Sequence, residues 1–404
     1  MSFTSEPRWR DVRLSAAARG ISTCGDALAA TALVLALQTR GAGGIAVAAV
    51  LLASSAPLAV FAPLAGRLAD RVDSRLLLVT TGIAQAAVCA VLAFTNHPVA
   101  IVGLVALLAV GLAITQPTLS ALTPDMVGRD NLPKATAMSQ TAAALGLLLG
   151  PVAAGLLVGQ FGVRVPLLID AVSFLAIAVA GLALRTRRGG RPVESARPDV
   201  PAVRWRLRAD SLLMALTVAV VGAVAAVGAI NVIDVFFIRE TLHGSATAYG
   251  LIGAVWMGSI LVGSAVAGSL SRRGGDSALV SGMLGLIAGI SAILVAAANV
   301  PGVWWLVPLW IVGGALNGGV NVVASLVVAR RVPSEVRGQA MGTFVGAVNA
   351  AGIVGLLLGG ALSTAFAPRS LLIACGIAGL LVVAACALTV ARSARRTEAV
   401  VSRA

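Results

Sequence analysis

The chain has 404 residues, of which 58% are apolar and only 11% are charged. A soluble globular protein carries about 25% charged residues, so this chain has too little polar surface to cover itself in water. The composition therefore excludes a soluble enzyme, a secreted disulfide-stapled domain and a disordered chain, and it indicates many membrane-spanning helices.

The net charge of +14 is typical of nucleic-acid binding, but the placement of the basic residues argues against that partner. A nucleic-acid interface combines a basic face with aromatic side chains on a folded soluble domain. Here the basic residues cluster between apolar runs, and the chain contains a single tyrosine. We therefore expect the lipid bilayer as a partner and no nucleic acid.

The apolar runs are too long for strands, and their richness in Ala, Leu and Gly suits packed membrane helices. An open sheet edge cannot face lipid. The predicted fold is therefore an all-α membrane protein with twelve transmembrane helices in two six-helix bundles. In chain order, the spans cover residues 15–39, 44–65, 76–96, 98–120, 135–160, 164–184, 211–238, 247–270, 277–299, 302–328, 338–364 and 369–391.

The basic residues predict the orientation of these spans. If the N-terminus is inside, 26 of the 30 basic residues lie in inner segments, as the excess of Lys and Arg in cytoplasmic loops requires. We expect both termini in the cytoplasm of a bacterial cell and the spans in its inner membrane. The four basic residues predicted to lie outside are Arg40, Arg164, Arg239 and Arg369.

A single long hydrophilic interval, residues 185–210, divides the chain between the sixth and seventh spans. It contains three prolines, which do not continue a helix. This interval predicts a cytoplasmic linker that joins a bundle at residues 1–184 to a bundle at residues 211–391, followed by a cytoplasmic tail at residues 392–404.

The two halves also resemble each other. Gly66 and Gly268 follow the second span of each half and lie 202 residues apart, while Gly150 and Gly355 lie in the fifth spans and are separated by 205 residues. Two similar offsets indicate a duplicated six-helix unit, which is the arrangement of a transporter with parallel halves around a central cavity.

The sequence contains no motif for enzymatic chemistry. We find no phosphate-binding loop, no cluster with metal-ligand spacing and no nucleophile elbow. We therefore predict that the protein is not an enzyme and has no cofactor. The cysteines are expected to be buried free thiols, because their spacing shows no pairing; they are Cys24, Cys89, Cys375 and Cys386.

The strongest local motif follows the second span and reads Gly-Arg-Leu-Ala-Asp-Arg-Val-Asp-Ser-Arg over residues 66–75. It resembles the loop between spans two and three of the major facilitator superfamily. Asp73 stands where that superfamily usually has Gly, and in this respect the run resembles the branch of macrolide-efflux proteins and enterobactin-type siderophore exporters. Shorter matches in other spans extend the resemblance over nearly the whole chain.

We call residues 66–75 the gating loop, because its residue types suit contacts that form and break as the cytoplasmic side closes and opens. Gly66 would let two helix ends approach closely. Asp70 would accept a hydrogen bond from a helix end in the other half. Arg71 and Arg75 would pair with Asp73 or with lipid phosphate. The alternative is a solvated loop that only contributes positive charge to the inner side.

The fifth span contains Gly146, Gly150, Pro151 and Gly155. This run resembles the antiporter motif of superfamily exporters, although Ala154 replaces one glycine. The resemblance implies export. Small residues in a membrane helix also permit ordinary close packing, and that alternative stays open.

Three aspartates lie within apolar runs: Asp26, Asp170 and Asp234. A carboxyl group there should face a cavity, a partner or a proton path, and burial favours its neutral, proton-carrying form. Asp26 is the leading candidate for proton coupling, against a hydrogen bond to Ser22 or to a neighbouring span. Asp234 is either a coupling residue or an ion-pair partner near Arg239, and Asp170 suits structural pairing near Arg164.

Many proton-coupled members of the superfamily carry an arginine in the fourth span. This sequence departs from them, since residues 97–128 contain neither arginine nor lysine.

Polar or aromatic side chains at mid-span suggest a cavity for a mostly apolar substrate with some hydrogen-bonding groups. Interhelical amide bonds are the alternative for each of them. These candidate cavity residues are Gln116, Gln140, Asn231, Trp256, Asn317, Asn321 and Asn349.

Together these features predict a monomeric secondary active exporter of an amphipathic small molecule, such as a drug, an antibiotic or a secondary metabolite. Protons would return through Asp26 by antiport. The alternatives are an importer or an uncoupled facilitator of the same fold, and a membrane scaffold or sensor that binds without transport.

Overall fold

A computed structural model of the protein describes residues 7–188, 210–270, 275–333 and 336–401. Over these residues the chain forms helices and no strand. The α-helices are α1 (Trp9–Thr39), α2 (Gly44–Arg71), α3 (Ser74–Phe94), α4 (Pro98–Phe161), α5 (Arg164–Ala183), α6 (Ser211–Val227), α7 (Ile230–Phe236), α8 (Ala246–Leu270), α9 (Asp276–Ala297), α10 (Leu306–Arg331), α11 (Arg337–Leu362) and α12 (Pro368–Val401).

Within the described residues, twelve helical stretches are long and apolar enough to cross a membrane. This confirms the predicted all-α membrane fold with twelve spans. Large apolar side chains remain exposed along these helices, among them Val60, Val99 and Leu381, as expected for surfaces that face lipid rather than water.

The fourth and fifth spans extend further than the sequence predicted. The interval between them was expected to be a loop over residues 121–134, but almost all of it is helical, and α4 runs through both spans. Two helices meet at a kink at Gly128, whose φ of 71° is readily adopted only by glycine. We call Asp130–Phe161, the part of α4 after this residue, its second arm, and Pro133 lies near its start.

The seventh span is interrupted, although the sequence predicted one helix over residues 211–238. It consists of α6, a turn at Gly228 and Ala229, α7, and a π-helical segment at Phe237–Thr241. The turn frees the carbonyl group of Gly228, which accepts a hydrogen bond from the Asn231 side chain at 3.0 Å.

The chain folds into two compact units. The start of α2 belongs to the second unit, and the start of α8 belongs to the first. Unit 1 comprises Met1–Ala42, Ala49–Ala196 and Ser245–Ala254, and unit 2 comprises Gly43–Ala48, Arg197–Gly244 and Val255–Ala404, as far as these ranges are described.

Each unit has its own apolar core. In unit 1, α1 packs against α4 and α5, and α3 packs against α4 and α5. The core there includes Leu78, Leu122 and Ile177. In unit 2, α9 packs against α10 and α12, and α6 packs against α11 and α12, around a core that includes Leu216 and Met283.

Asp210 ties the start of α6 to the end of α10 in unit 2. Its Oδ1 accepts the backbone N–H groups of Leu212 at 3.0 Å and Leu213 at 3.1 Å, and its Oδ2 lies 2.6 Å from Nε of Arg331. Burial alone would raise the pKa of Asp210, but the Arg331 side chain and the two N–H groups outweigh it and hold the pKa below its usual value.

Because folding lowers the pKa of Asp210, its charge stabilises the protein at neutral pH, and this contribution is lost as the pH falls through the folded-state pKa. Asp210→Asn keeps a good helix cap but loses the ion pair. We expect it to lower the free energy of unfolding by about 0.5–1 kcal/mol at neutral pH. Thermal unfolding of the two proteins should give midpoints that converge as the pH falls below the usual pKa range of an aspartate; a constant difference would contradict this account.

Candidate functional site

The candidate site centres on Asp26, near the middle of α1. Its side chain is partly exposed, and no basic residue occurs between Gly20 and Thr39. Within the described residues, the carboxyl group makes no hydrogen bond and no ion pair, so the alternative bond to Ser22 is not present. Asp26 is thus a carboxyl group within a membrane-spanning helix, with no hydrogen-bond partner among the described residues and with part of its side chain exposed.

A second carboxyl group, that of Asp170 on α5, lies beside it. Asp170 is only 1% exposed, and its charge lies close enough to interact electrostatically with Asp26. Its Oδ1 touches the backbone of α1 at Gly25, where a Cβ would collide with that oxygen and with Oγ of Ser173. The absence of a side chain at Gly25 therefore allows the two carboxyl groups to be neighbours.

Two side chains fix the carboxylate of Asp170. Ser173 donates its hydroxyl to Oδ1 at 2.9 Å, and Cys89 on α3 donates its thiol to Oδ2 at 3.4 Å. Among the described residues, no ion pair joins Asp170 to Arg164. The guanidinium of Arg164 lies 5.6 Å from the centre of the Phe94 ring. The sequence predicts Cys89 only as a buried thiol, and nothing in it indicates a contact 81 residues along the chain.

Asp234 lies on α7, between the turn at Gly228 and the π-helical segment. Its Oδ1 is buried and has no hydrogen-bond partner within the described residues. Arg239, the ion-pair partner considered from sequence, donates its Nη1 to the carbonyl oxygen of Gly244 at 2.8 Å. An interrupted helix around an unsatisfied acid is typical of functional positions in membrane proteins.

The small residues of the second arm of α4 pack against α1 and α8. A Cβ on Gly146 would lie 2.6 Å from the carbonyl oxygen of Gly20, and one on Gly150 would lie 2.8 Å from that of Cys24. A Cβ on Gly155 would lie 2.7 Å from the carbonyl oxygen of Ala246 on α8. These contacts agree with the close-packing interpretation and place the helix that contains Pro151 directly beside the Asp26 segment.

The equivalent glycines of α11 make equivalent contacts in unit 2. A Cβ on Gly355 would lie 2.8 Å from Cα of Gly228 on the interrupted seventh span, and one on Gly360 would lie 3.1 Å from the carbonyl oxygen of Gly44 on α2. The pairs of glycines separated by 205 residues therefore occupy corresponding positions in the two units.

In the gating loop, Asp73 is the N-cap of α3. Its Oδ1 accepts the backbone N–H groups of Arg75 at 2.7 Å and Leu76 at 3.3 Å, so Asp73 contacts Arg75 through the backbone. Arg71 is exposed, and a Cβ on Gly66 would meet no described atom within 4 Å. The side chain of Asp70 lies outside the described part of the structure, so its gating role stays a prediction.

The cap gives Asp73 a testable structural role. Asp73→Ala is expected to reduce the free energy of unfolding by about 1 kcal/mol, because two backbone N–H groups lose their acceptor. Asp73→Asn is the matched control and should cost only a few tenths of that, since its amide oxygen can cap the helix. The difference is measured by thermal unfolding in detergent, and equal midpoints for the two variants would contradict the cap.

The candidate cavity residues are mostly exposed, although they lie in spanning helices. Asn321 donates its amide to the backbone and side-chain oxygens of Asn317 at 3.1 and 3.0 Å. Trp256 is partly exposed and packs edge-on against Trp310, with ring centres 5.9 Å apart. The structure thus brings Asn317 and Asn321 together. The exposed members of the set are Gln116, Gln140, Asn231, Asn321 and Asn349.

The sequence analysis missed a buried polar network between α3 and α4. Gln85 is 3% exposed, and its amide donates to the carbonyl oxygen of Leu108 at 3.2 Å. Thr115 reaches the Gln85 oxygen at 3.4 Å, and Gly111 leaves room for the Gln85 side chain. A glutamine inside an apolar run is the signal that could have identified this network.

Among the described residues, no group of three His, Cys, Asp or Glu side chains could hold a metal ion.

Comparison with known proteins agrees with this architecture. A model of the Major Facilitator Superfamily matches residues 16–238 and again residues 216–403. Macrolide efflux protein A from Enterococcus faecalis is 28% identical over 148 residues, which are 35% of this chain and 46% of that protein. The protein of the same name from Streptococcus pyogenes is 25% identical over 188 residues, or 45% of this chain and 46% of that protein. The matches therefore span less than half of each relative.

Solved transporter structures resemble the whole chain. A mutant of the nucleoside transporter NupG gives a TM-score of 0.77 at 14% identity, covering 94% of this chain and 99% of that one. A mutant of the peptide transporter POT in complex with alafosfalin gives a TM-score of 0.76 at 16% identity, covering 98% of this chain and 96% of that one. At such identities the likeness establishes the fold alone.

Proposed function

Because the chain belongs to the Major Facilitator Superfamily, we propose that it is a proton-driven exporter of an amphipathic small molecule. It works by alternating access, in which the substrate site opens first to one side of the membrane and then to the other. Protons that re-enter the cell drive the substrate out.

The proposed location is the inner membrane of a bacterial cell, with both termini in the cytoplasm and the chain acting as a monomer. The arginine bias supports this orientation, since 26 of the 30 basic residues belong to the segments on one predicted side. In this orientation the gating loop and the starts of α1 and α3 lie on the cytoplasmic side.

Asp26 is the observation that carries the proposal. A carboxyl group in a spanning helix is retained only for a function or a strong partner, and the described residues provide Asp26 with no hydrogen bond and no ion pair. Its partly exposed side chain can exchange a proton with water. We therefore assign it the role of binding a proton on one side of the membrane and releasing it on the other.

Asp170 and Asp234 take supporting roles in this proposal. Asp170 is held by Ser173 and Cys89, so it serves as a fixed neighbour whose charge acts on Asp26. Asp234 has an unsatisfied oxygen in the interrupted seventh span and provides a second position at which a proton can bind.

The proposed substrate is amphipathic and uncharged over most of its surface. The exposed amides of Gln116 and Gln140 in unit 1 can hydrogen-bond its polar groups. The resemblance to proteins named for macrolide efflux favours a macrolide as the first probe.

Uptake of radiolabelled erythromycin into inside-out membrane vesicles tests this function. We expect accumulation when the vesicle interior is acidic and positive, above the passive trapping of this amine in vesicles without the protein. Nigericin together with valinomycin, which collapse the pH gradient and the potential, should remove that excess. Equal flux with and without the gradient would indicate an uncoupled facilitator. Accumulation only in right-side-out vesicles would indicate an importer, and binding without flux would indicate a scaffold or sensor.

A further inference from the structure

Residues 184–188 follow α5 as an extended segment, which we call the strap. Leu184 leaves the helix with a ψ of 129° and is 4% exposed. The sequence predicted these residues as the boundary of the linker, but they pack onto the end of unit 1 at which α1 and α3 begin. The strap is therefore part of the framework of unit 1.

Asp11, in the first turn of α1, holds one end of the strap. Its Oδ2 accepts three hydrogen bonds, from the backbone N–H of Arg185 at 3.1 Å, the N–H of Thr186 at 2.9 Å and the Thr186 hydroxyl at 2.8 Å. Asp11 is only 2% exposed. A buried carboxylate is costly unless it is hydrogen-bonded, so displacement of the strap would leave an unsatisfied charge.

Ser74, the first residue of α3, holds the other end. Its N–H donates to the carbonyl oxygen of Arg188 at 2.8 Å, and its hydroxyl accepts the N–H of Arg188 at 3.1 Å. The first N–H groups of a helix need partners outside the helix. Asp73 supplies them for Arg75 and Leu76, and the strap supplies the one for Ser74.

Further contacts join the helices at the same end of unit 1. The Arg188 side chain donates to the carbonyl oxygen of Ala121 on α4 at 3.0 Å. The N–H of Arg8, just before α1, donates to the carbonyl oxygen of Met126 at 2.8 Å, and Lys134 lies 5.0 Å from the centre of the Trp9 ring. The strap thus belongs to a network that joins α1, α3 and both arms of α4.

We propose that Asp11 is a positioning residue for transport: through the strap, it holds the end of the gating loop in a fixed relation to α1. The inference rests on the proposed function, because the gating loop has a role only in a transporter. Among the described residues no hydrogen bond joins Asp11 to Ser74 directly, and the strap is hydrogen-bonded to both.

Hydrogen–deuterium exchange of the full chain in nanodiscs tests this mechanical link. Asp11→Ala should raise the exchange rate of the strap amides at least tenfold, and it should also raise that of the Ser74 amide. Asp11→Asn is the matched control and should stay within about twofold of wild type, because all three bonds end on one oxygen that an amide can replace. Thr186→Val keeps the two backbone bonds to Asp11 but removes the hydroxyl, which donates to Asp11 at 2.8 Å and accepts from Nη1 of Arg8 at 3.5 Å. It should give an intermediate result, which keeps the test valid if Asp11→Ala does not fold.

Transport provides the second measurement. Asp11→Ala should lower the maximal rate of erythromycin transport at least fivefold with an unchanged half-saturating concentration, and Asp11→Asn should restore it. Faster exchange confined to the strap, or faster exchange at Ser74 with normal transport, would overturn the positioning role. If the wild-type protein moves no erythromycin, the proposed function fails, whereas the exchange rates still decide whether the strap links Asp11 to Ser74.

Discussion

Asp26→Asn should abolish uphill export while leaving the exchange of substrate across the membrane intact. Asparagine has nearly the size of aspartate but cannot bind and release a proton. One elementary charge moving through 100 mV is worth about 2.3 kcal/mol, which corresponds to a concentration ratio of about 50. The accumulation ratio of erythromycin in energised inside-out vesicles should therefore fall by up to about this factor.

Counterflow separates this result from a loss of binding. Exchange of labelled for unlabelled erythromycin needs no proton, so the variant should retain it. Asp130→Asn is the matched control, because it removes one exposed carboxylate at the start of the second arm of α4 and should leave accumulation unchanged. Full accumulation by Asp26→Asn would exclude Asp26 as the coupling residue.

Gly150→Leu should prevent the second arm of α4 from packing against α1. A Cβ at this position would lie 2.6 Å from Cβ of Ala27, 2.8 Å from the carbonyl oxygen of Cys24 and 3.0 Å from the backbone nitrogen of Leu28. Two of these three atoms are backbone and cannot rotate away. Overpacking of this kind costs about 1–3 kcal/mol or more, and we expect a large loss of thermal stability together with a loss of transport.

Gly159→Leu provides the comparison within the same helix. A Cβ at Gly159 meets only Oγ1 of Thr247, at 4.0 Å, and the residue is exposed. Leucine is a better helix former than glycine by roughly 0.5–1 kcal/mol, so this variant should be neutral or slightly stabilised. Equal unfolding midpoints for the two variants would show that the close approach at Gly150 is not needed.

The sequence predicted the number and order of the spans well, because a spanning helix is defined by length and apolarity alone. It also selected Asp26 as the leading candidate for proton coupling, because an acid within an apolar run is recognisable whichever way the helix faces, and that role stays a prediction. The helical conformation of residues 121–134 was missed, and the position of the break between the two helices depends on the backbone conformation of one residue, Gly128.

Contacts between segments that are far apart in the sequence could not be predicted. Cys89 and Asp170 lie in different spans, as do Asp11 and Thr186, and one sequence does not fix how its helices face one another. Asp73 shows a subtler limit: an aspartate before a helix is a good N-cap, yet the surrounding arginines suggested an ion pair instead.

The most direct test of proton-driven export uses purified protein in proteoliposomes that contain a pH indicator. An erythromycin gradient imposed across the membrane should move protons in the direction opposite to the drug, faster than the unassisted permeation of this amine does in protein-free liposomes, and Asp26→Asn should move the drug with only that background pH change. If the wild-type protein carries erythromycin down its gradient with no change in internal pH beyond the background, the protein is not a proton antiporter for this drug.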